Sequence, residues 1–135
     1  MNQLPDKSNF KLENLNREQE LEKFLLEEQF VRETAQQIIK DFAEFDLEIQ
    51  FSGDTQNAYP ELFQQMERAI RYILDHNFPK LLNLLYRIDI GEKEILKRGD
   101  LHPDASQSEL ITDVIIRREL KKVLMRYYFK HFSKD

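Results

Sequence analysis

Residues 106–132 read Ser106-Gln107-Ser108-Glu109 and then LITDVIIRRELKKVLMRYYFKHF (110–132), and this stretch decides the fold. A serine with a glutamate three residues on is the capping-box signature of a helix start. At about 100° per residue, Ile116, Leu120, Val123, Leu124 and Tyr127 fall on one arc. Arg117, Arg118, Lys121, Lys122 and Arg126 spread over roughly the opposite half-turn by the same geometry. The apolar arc marks a core helix, which needs other helices to bury it, so the chain reads as all-α.

The preceding segments supply those partners. The run LLNLLYRIDI (81–90) is apolar nearly all round, which predicts a helix opened by Pro79 and placed centrally. Asp89 with Glu92 is spaced to cap a short following helix through Leu96, which Gly99 ends. Asn77-Phe78-Pro79 stops the helix before it, because proline restricts the residue ahead of it. That helix starts near Asn57, tolerates Pro60 in its first turn, and shows Leu62, Met66, Ala69, Ile70, Ile73 and Leu74 on one face. Ser52-Gly53-Asp54-Thr55 is a loop by composition.

The first helix is predicted to begin at the N-cap Asn16, with Gln19 in capping-box position. It runs through Leu21, Phe24, Val31, Ala35, Ile38 and Phe42, interrupted by Glu28, and ends between Lys40 and Ile49. Leu47, Ile49 and Phe51 alternate as a strand does, while Phe45 and Ile49 also continue the helical stripe. Residues 45–51 therefore stay open between a frayed helix end and an extended segment lying on the bundle; no second strand-like segment exists to pair with them. Residues 1–15 are polar, carry Pro5 and read as a flexible tail. The expected architecture is one domain over residues 16–135, a bundle of four to five helices.

Composition narrows the chemistry. A chain of 135 residues can bury a core without disulfides or metals. The absence of cysteine excludes thiol nucleophiles, cysteine-ligated zinc and iron–sulfur clusters, and fits a cytoplasmic location. With three glycines and no phosphate-binding loop, nucleotide chemistry is not expected, and no cofactor is implied. No apolar run reaches the ~20 residues of a membrane span, and no secretion signal is visible, so no membrane role is expected. The net charge of −5 is uneven: residues 117–135 carry 7 bases and 2 acids, whereas residues 1–54 carry 13 acids and 6 bases. Such a gradient steers an acidic partner or draws the two ends of the chain together.

Candidate sites are few. Arg87 and Asp89 are the charges inside the most apolar segment; two residues apart, they point to different faces. Asp89 is placed to meet Arg117 or Arg118, and Arg87 to meet an acid such as Glu94, Glu109 or Asp113. The functional reading is a small-ligand pocket around Arg87 and Asp89; the ordinary one is a capping aspartate and an inter-helix salt bridge. His76, His102 and His131 lie in no metal-binding spacing, and Asp100-x-His102-x-Asp104 lacks the glycine of a calcium loop, so no metal site is expected. Glu109 and Asp113 share a helical face, which solvation explains. No nucleophile motif appears, and an enzyme is not expected.

Two segments, Leu81-Leu82-Asn83-Leu84-Leu85-Tyr86-Arg87-Ile88-Asp89-Ile90-Gly91-Glu92 and Arg117-Arg118-Glu119-Leu120-Lys121-Lys122-Val123, together resemble a family of small, all-helical bacterial proteins of unknown activity. That family carries an LLYRID-like and an RExxKV-like motif, and the resemblance spans most of residues 16–132. It implies that Arg87, Asp89, Arg118, Glu119 and Lys122 form one polar cluster between the two motif helices.

The function class expected from the sequence is a non-enzymatic helical bundle acting through contacts with an unidentified protein. A homodimer is one form of this, since Leu21 through Phe42 follow a near-heptad spacing able to seat a second helix. A basic face of Lys121, Lys122, Arg126 and Lys130 is the surface left for an outside partner. Nucleic-acid binding through that face is the alternative. The acidic net charge argues against it, as does the suitability of cations for a helix C-terminus.

Overall fold

The computed structural model describes residues 27–132. Five α-helices carry them: α1 (Glu28–Ala43), α2 (Ala58–His76), α3 (Phe78–Ile88), α4 (Glu92–Leu101) and α5 (Gln107–His131). No strand occurs among the described residues. The all-α reading therefore holds, and the tail (1–15), the predicted cap at Asn16 and the first stripe positions Leu21 and Phe24 lie outside the described residues.

The central helix is α5, not α3. It packs against each of the other four helices, and its middle is buried on several sides through Ile111, Thr112, Ile115, Ile116, Glu119 and Leu120. The capping box is complete: the Ser106 hydroxyl accepts from the Glu109 N–H, and the Glu109 carboxylate accepts from the Ser106 N–H. These hydrogen bonds to Ser106 hold the Glu109 carboxyl below its ordinary range. α3 is too short to reach every neighbour; Leu81, Leu84 and Ile88 face the core while another side faces solvent.

The first helix does not run through from Asn16. Glu27 is extended, with φ −84° and ψ 116°, and helix begins at Glu28. From there Val31, Ala35, Ile38 and Phe42 enter the main core, and Phe30 joins Leu120, Val123 and Leu124 in a second apolar cluster. The stripe that seemed able to seat a second copy is thus consumed within the bundle from Val31 onward.

Helix endings show why glycine was a poor guide here. α1 and α3 both close with a six-to-one bond, Leu47 N–H to Phe42 C=O and Ile90 N–H to Leu85 C=O. Each such ending needs a left-handed residue, and each uses aspartate: Asp46 at φ 60° and Asp89 at φ 69°. Asp89 therefore terminates α3 instead of capping α4, whose N-cap is Gly91. Gly99 lies inside α4, which runs on to Leu101, and packs beside Leu110, whose Cδ1 is 3.4 Å from the site of a Cβ. Since Asp46 is exposed and glycine reaches its φ without strain, Asp46→Gly is expected to stabilise the fold by about 0.5–1 kcal/mol. Urea denaturation would show this as a raised midpoint at unchanged slope.

Residues 47–51 are neither helix nor strand, and Ile49 is buried. A side-chain amide takes the place of a missing strand: Gln50 N–H donates to Gln65 Oε1 at 2.9 Å, and Gln65 Nε2 donates to the Gln50 carbonyl at 2.7 Å. Ser52 N–H and its hydroxyl both donate to Glu61, at 2.7 and 2.8 Å. These bonds tie the backbone of Gln50 and Ser52 to α2.

Candidate functional site

Three places in this bundle depart from an ordinary helical core: a buried acid pair, a charge hub and an apolar groove.

The acid pair joins α1 to α5. Asp41 is 2% exposed and Glu119 is fully buried. Gln37 donates to Asp41 at 3.1 Å, and Arg126 holds the Gln37 amide oxygen at 2.8 Å. Arg87 of α3 reaches in with Nε 3.9 Å from Asp41, its guanidinium otherwise bound to Glu44 at 2.8 Å. Lys122 Nζ is 3.6 Å from Glu119 Oε1, longer than a hydrogen bond. Among the described residues no donor satisfies either Glu119 oxygen; the Asp41 carboxyl lies against it instead. Burial pushes the Glu119 carboxyl up, and Asp41 pushes it further, to about 9, against a weaker opposing pull from Lys122.

The hub is Asp113. Its carboxylate accepts from Arg98 of α4 at 2.5 Å, from Arg117 at 3.0 Å and from the Tyr59 hydroxyl of α2. Burial alone would raise this carboxyl, but the Tyr59 hydroxyl and the two guanidiniums outweigh it and hold it below the usual aspartate value. Burial, and then Asp113, pushes the Tyr59 phenol upward. Asp113 is therefore not part of a solvated face with Glu109: it fastens three helices together.

The groove opens between the end of α2, α3 and α4, with a volume of about 510 Å³. Phe78 and Leu82, each 50% exposed, and Tyr86, 88% exposed, stand along α3 at four-residue steps. Leu96 of α4 faces them across the groove, with Ile95 and Glu92 also lining it. The main core uses the other side of α3, so this apolar stripe has no covering among the described residues.

The residues singled out from sequence are distributed over these features. Arg87, Glu119 and Lys122 gather at Asp41. Asp89 does not join them; it pairs with Arg118 at 2.9 Å, and Arg118 also reaches the Ile88 carbonyl. Arg87 meets Asp41 and Glu44 of the α1 end, not Glu94, Glu109 or Asp113. Of the basic face, Lys122 and Arg126 are engaged with Glu119 and Gln37, contrary to the expectation that they stay unpaired within the fold. Lys121 is half-buried, and burial followed by nearby Arg118 lowers its pKa; Lys130 is exposed. Neither Arg87 nor Asp89 lines the groove; their neighbours Tyr86 and Ile90 do.

Sequence reasoning missed Asp41 and the open stripe. Asp41 follows Thr34 and Ile38 on the buried side of α1, so a charge standing in an apolar column was the signal. Phe78, Leu82 and Tyr86 were visible as the surplus apolar side of an all-round apolar helix. No group of three or more histidines and acids able to hold a metal occurs among the described residues. None of the described helices is long and apolar enough to cross a membrane.

Compared with protein-family models, with curated proteins and with solved structures, the chain matches none.

Proposed function

We propose that this chain is a non-enzymatic binding module whose docking surface is the α2–α3–α4 groove, and that its occupant is an amphipathic helix of another protein. The observation that carries this reading is the Phe78–Leu82–Tyr86 stripe with Leu96 opposite it. Eight helical residues advance about 12 Å, so the stripe offers apolar contact over two turns of a docked helix. Helix-in-groove recognition uses such contacts, with anchors at three- and four-residue spacing. Large aromatic side chains exposed together mark binding surfaces more often than scattered ones do.

A tagged chain co-purified from its native cell tests the reading. Tyr86 and Leu82 project outward, so Leu82→Glu with Tyr86→Glu should change stability by only about 0.5 kcal/mol. The wild-type chain is expected to bring down a partner that the double variant loses while remaining folded. Equal recovery by both would place binding elsewhere. Light scattering separates the homodimer: a constant mass near 16.3 kDa across concentration leaves the groove to a different protein, whereas a doubled mass abolished by Leu82→Glu would make a second copy the occupant.

A further inference from the structure

We propose that Asp41 and Glu119 share a single proton, and that this proton fastens α1 to α5. The pair lies between two helices, and neither carboxyl has the surroundings that two ionised carboxylates require. Asp41 receives one amide N–H from Gln37 and a distant guanidinium from Arg87 of α3. Among the described residues, the one cation paired with Glu119 is Lys122 of its own helix at 3.6 Å, and no donor lies on either oxygen. Arg87 is committed chiefly to Glu44, and Arg126 to Gln37. Among the described residues, α2 and α4 bring no charge to the pair in any ion pair or hydrogen bond.

Two buried carboxyls in contact, with so little compensation, hold one negative charge between them more readily than two. A proton on Glu119 satisfies both groups, because its O–H donates to Asp41. Losing that proton sets two buried negative charges against each other across the α1–α5 contact. Beside that contact lie Phe30, Leu120, Val123 and Leu124, so loosening α1 uncovers an apolar surface. The device acts on the alkaline side: near neutral pH the proton is held and the helices are locked.

Urea midpoints measured from pH 6 to 10, with amide exchange followed helix by helix, test the proposal. In the wild type the midpoint is expected to fall as pH rises, with α1 amides losing protection before those of α2. Glu119→Gln keeps a donor toward Asp41 and removes the ionisation, so its midpoint should stay nearly level over that range. Asp41→Asn removes the neighbouring charge and should shift the wild-type fall to a different pH; it serves equally if the glutamine variant folds poorly. Parallel falls in the wild type and both variants would overturn the shared proton. Simultaneous loss of protection in α1 and α2 would overturn its role as a local fastener.

Discussion

Asp113→Ala is expected to lower the unfolding free energy by about 3 kcal/mol at pH 7, the scale on which breaking a buried ion pair acts. One carboxylate anchors Arg98, Arg117 and Tyr59, which arrive from three helices. Removing it takes away the acceptor that two guanidiniums and a phenol share in a poorly solvated place. Against a total stability of roughly 5–15 kcal/mol for a domain, the change is large. The pH dependence has a definite sign. Because the folded Asp113 carboxyl titrates below its ordinary 3.8, its stabilisation is present above that value and disappears as pH falls through the lower, folded one. The variant should therefore lose less stability than the wild type under acid conditions. A loss under about 1 kcal/mol at pH 7 would mean the hub behaves as an exposed salt bridge.

Glu119→Gln is expected to act in the opposite direction, raising stability by about 2 kcal/mol at pH 7 and by more at pH 8.5. The folded carboxyl titrates near 9 and the ordinary value is 4.5. Its contribution is complete below about 4.5 and is lost progressively as pH rises through 9. Each pH unit between the two corresponds to about 1.4 kcal/mol, so roughly 3 kcal/mol has gone by pH 7. Glutamine avoids that loss while keeping an N–H for Asp41. Burying its second N–H takes some of the gain back. Chemical denaturation at pH 5, 7 and 8.5 would reveal the growing gap. A variant less stable than the wild type at all three would contradict the assignment of the proton to Glu119.

Much of the fold was legible because helical boundaries were written locally. Ser106 and Glu109 form the box that their spacing predicts, and Pro79 sits in the first turn of α3 with Asn77 as its cap. What was not legible depended on partners distant in sequence. Asp89 resembles an N-cap until the left-handed backbone at the end of α3 is seen, and Gly99 resembles a stop although α4 runs on to Leu101. Gln65 reads as a surface glutamine of α2, yet it replaces a strand for Gln50.

The candidate sites divide in the same manner. Arg87 stood out as a charge in an apolar segment and Glu119 entered through the family resemblance, but their meeting point, Asp41, lies 46 residues from Arg87 in the opposite half of the chain. The basic face was drawn from one helix alone. Gln37 and Glu119 show that part of it serves the interior. The groove was hidden in a correct observation, the all-round apolarity of residues 81–90. Central burial explained that pattern as well as an open binding stripe did, and only the position of α5 at the centre distinguishes them.

The docking surface is tested most directly by photo-crosslinking in the native cell, with the reactive side chain placed at Leu82 in the groove or at Gln36, exposed on α1. The expected result is a discrete adduct from position 82, mapping to the apolar side of a helix in another protein, and none of it from position 36. No adduct from position 82, or the same adducts from both positions, would contradict it.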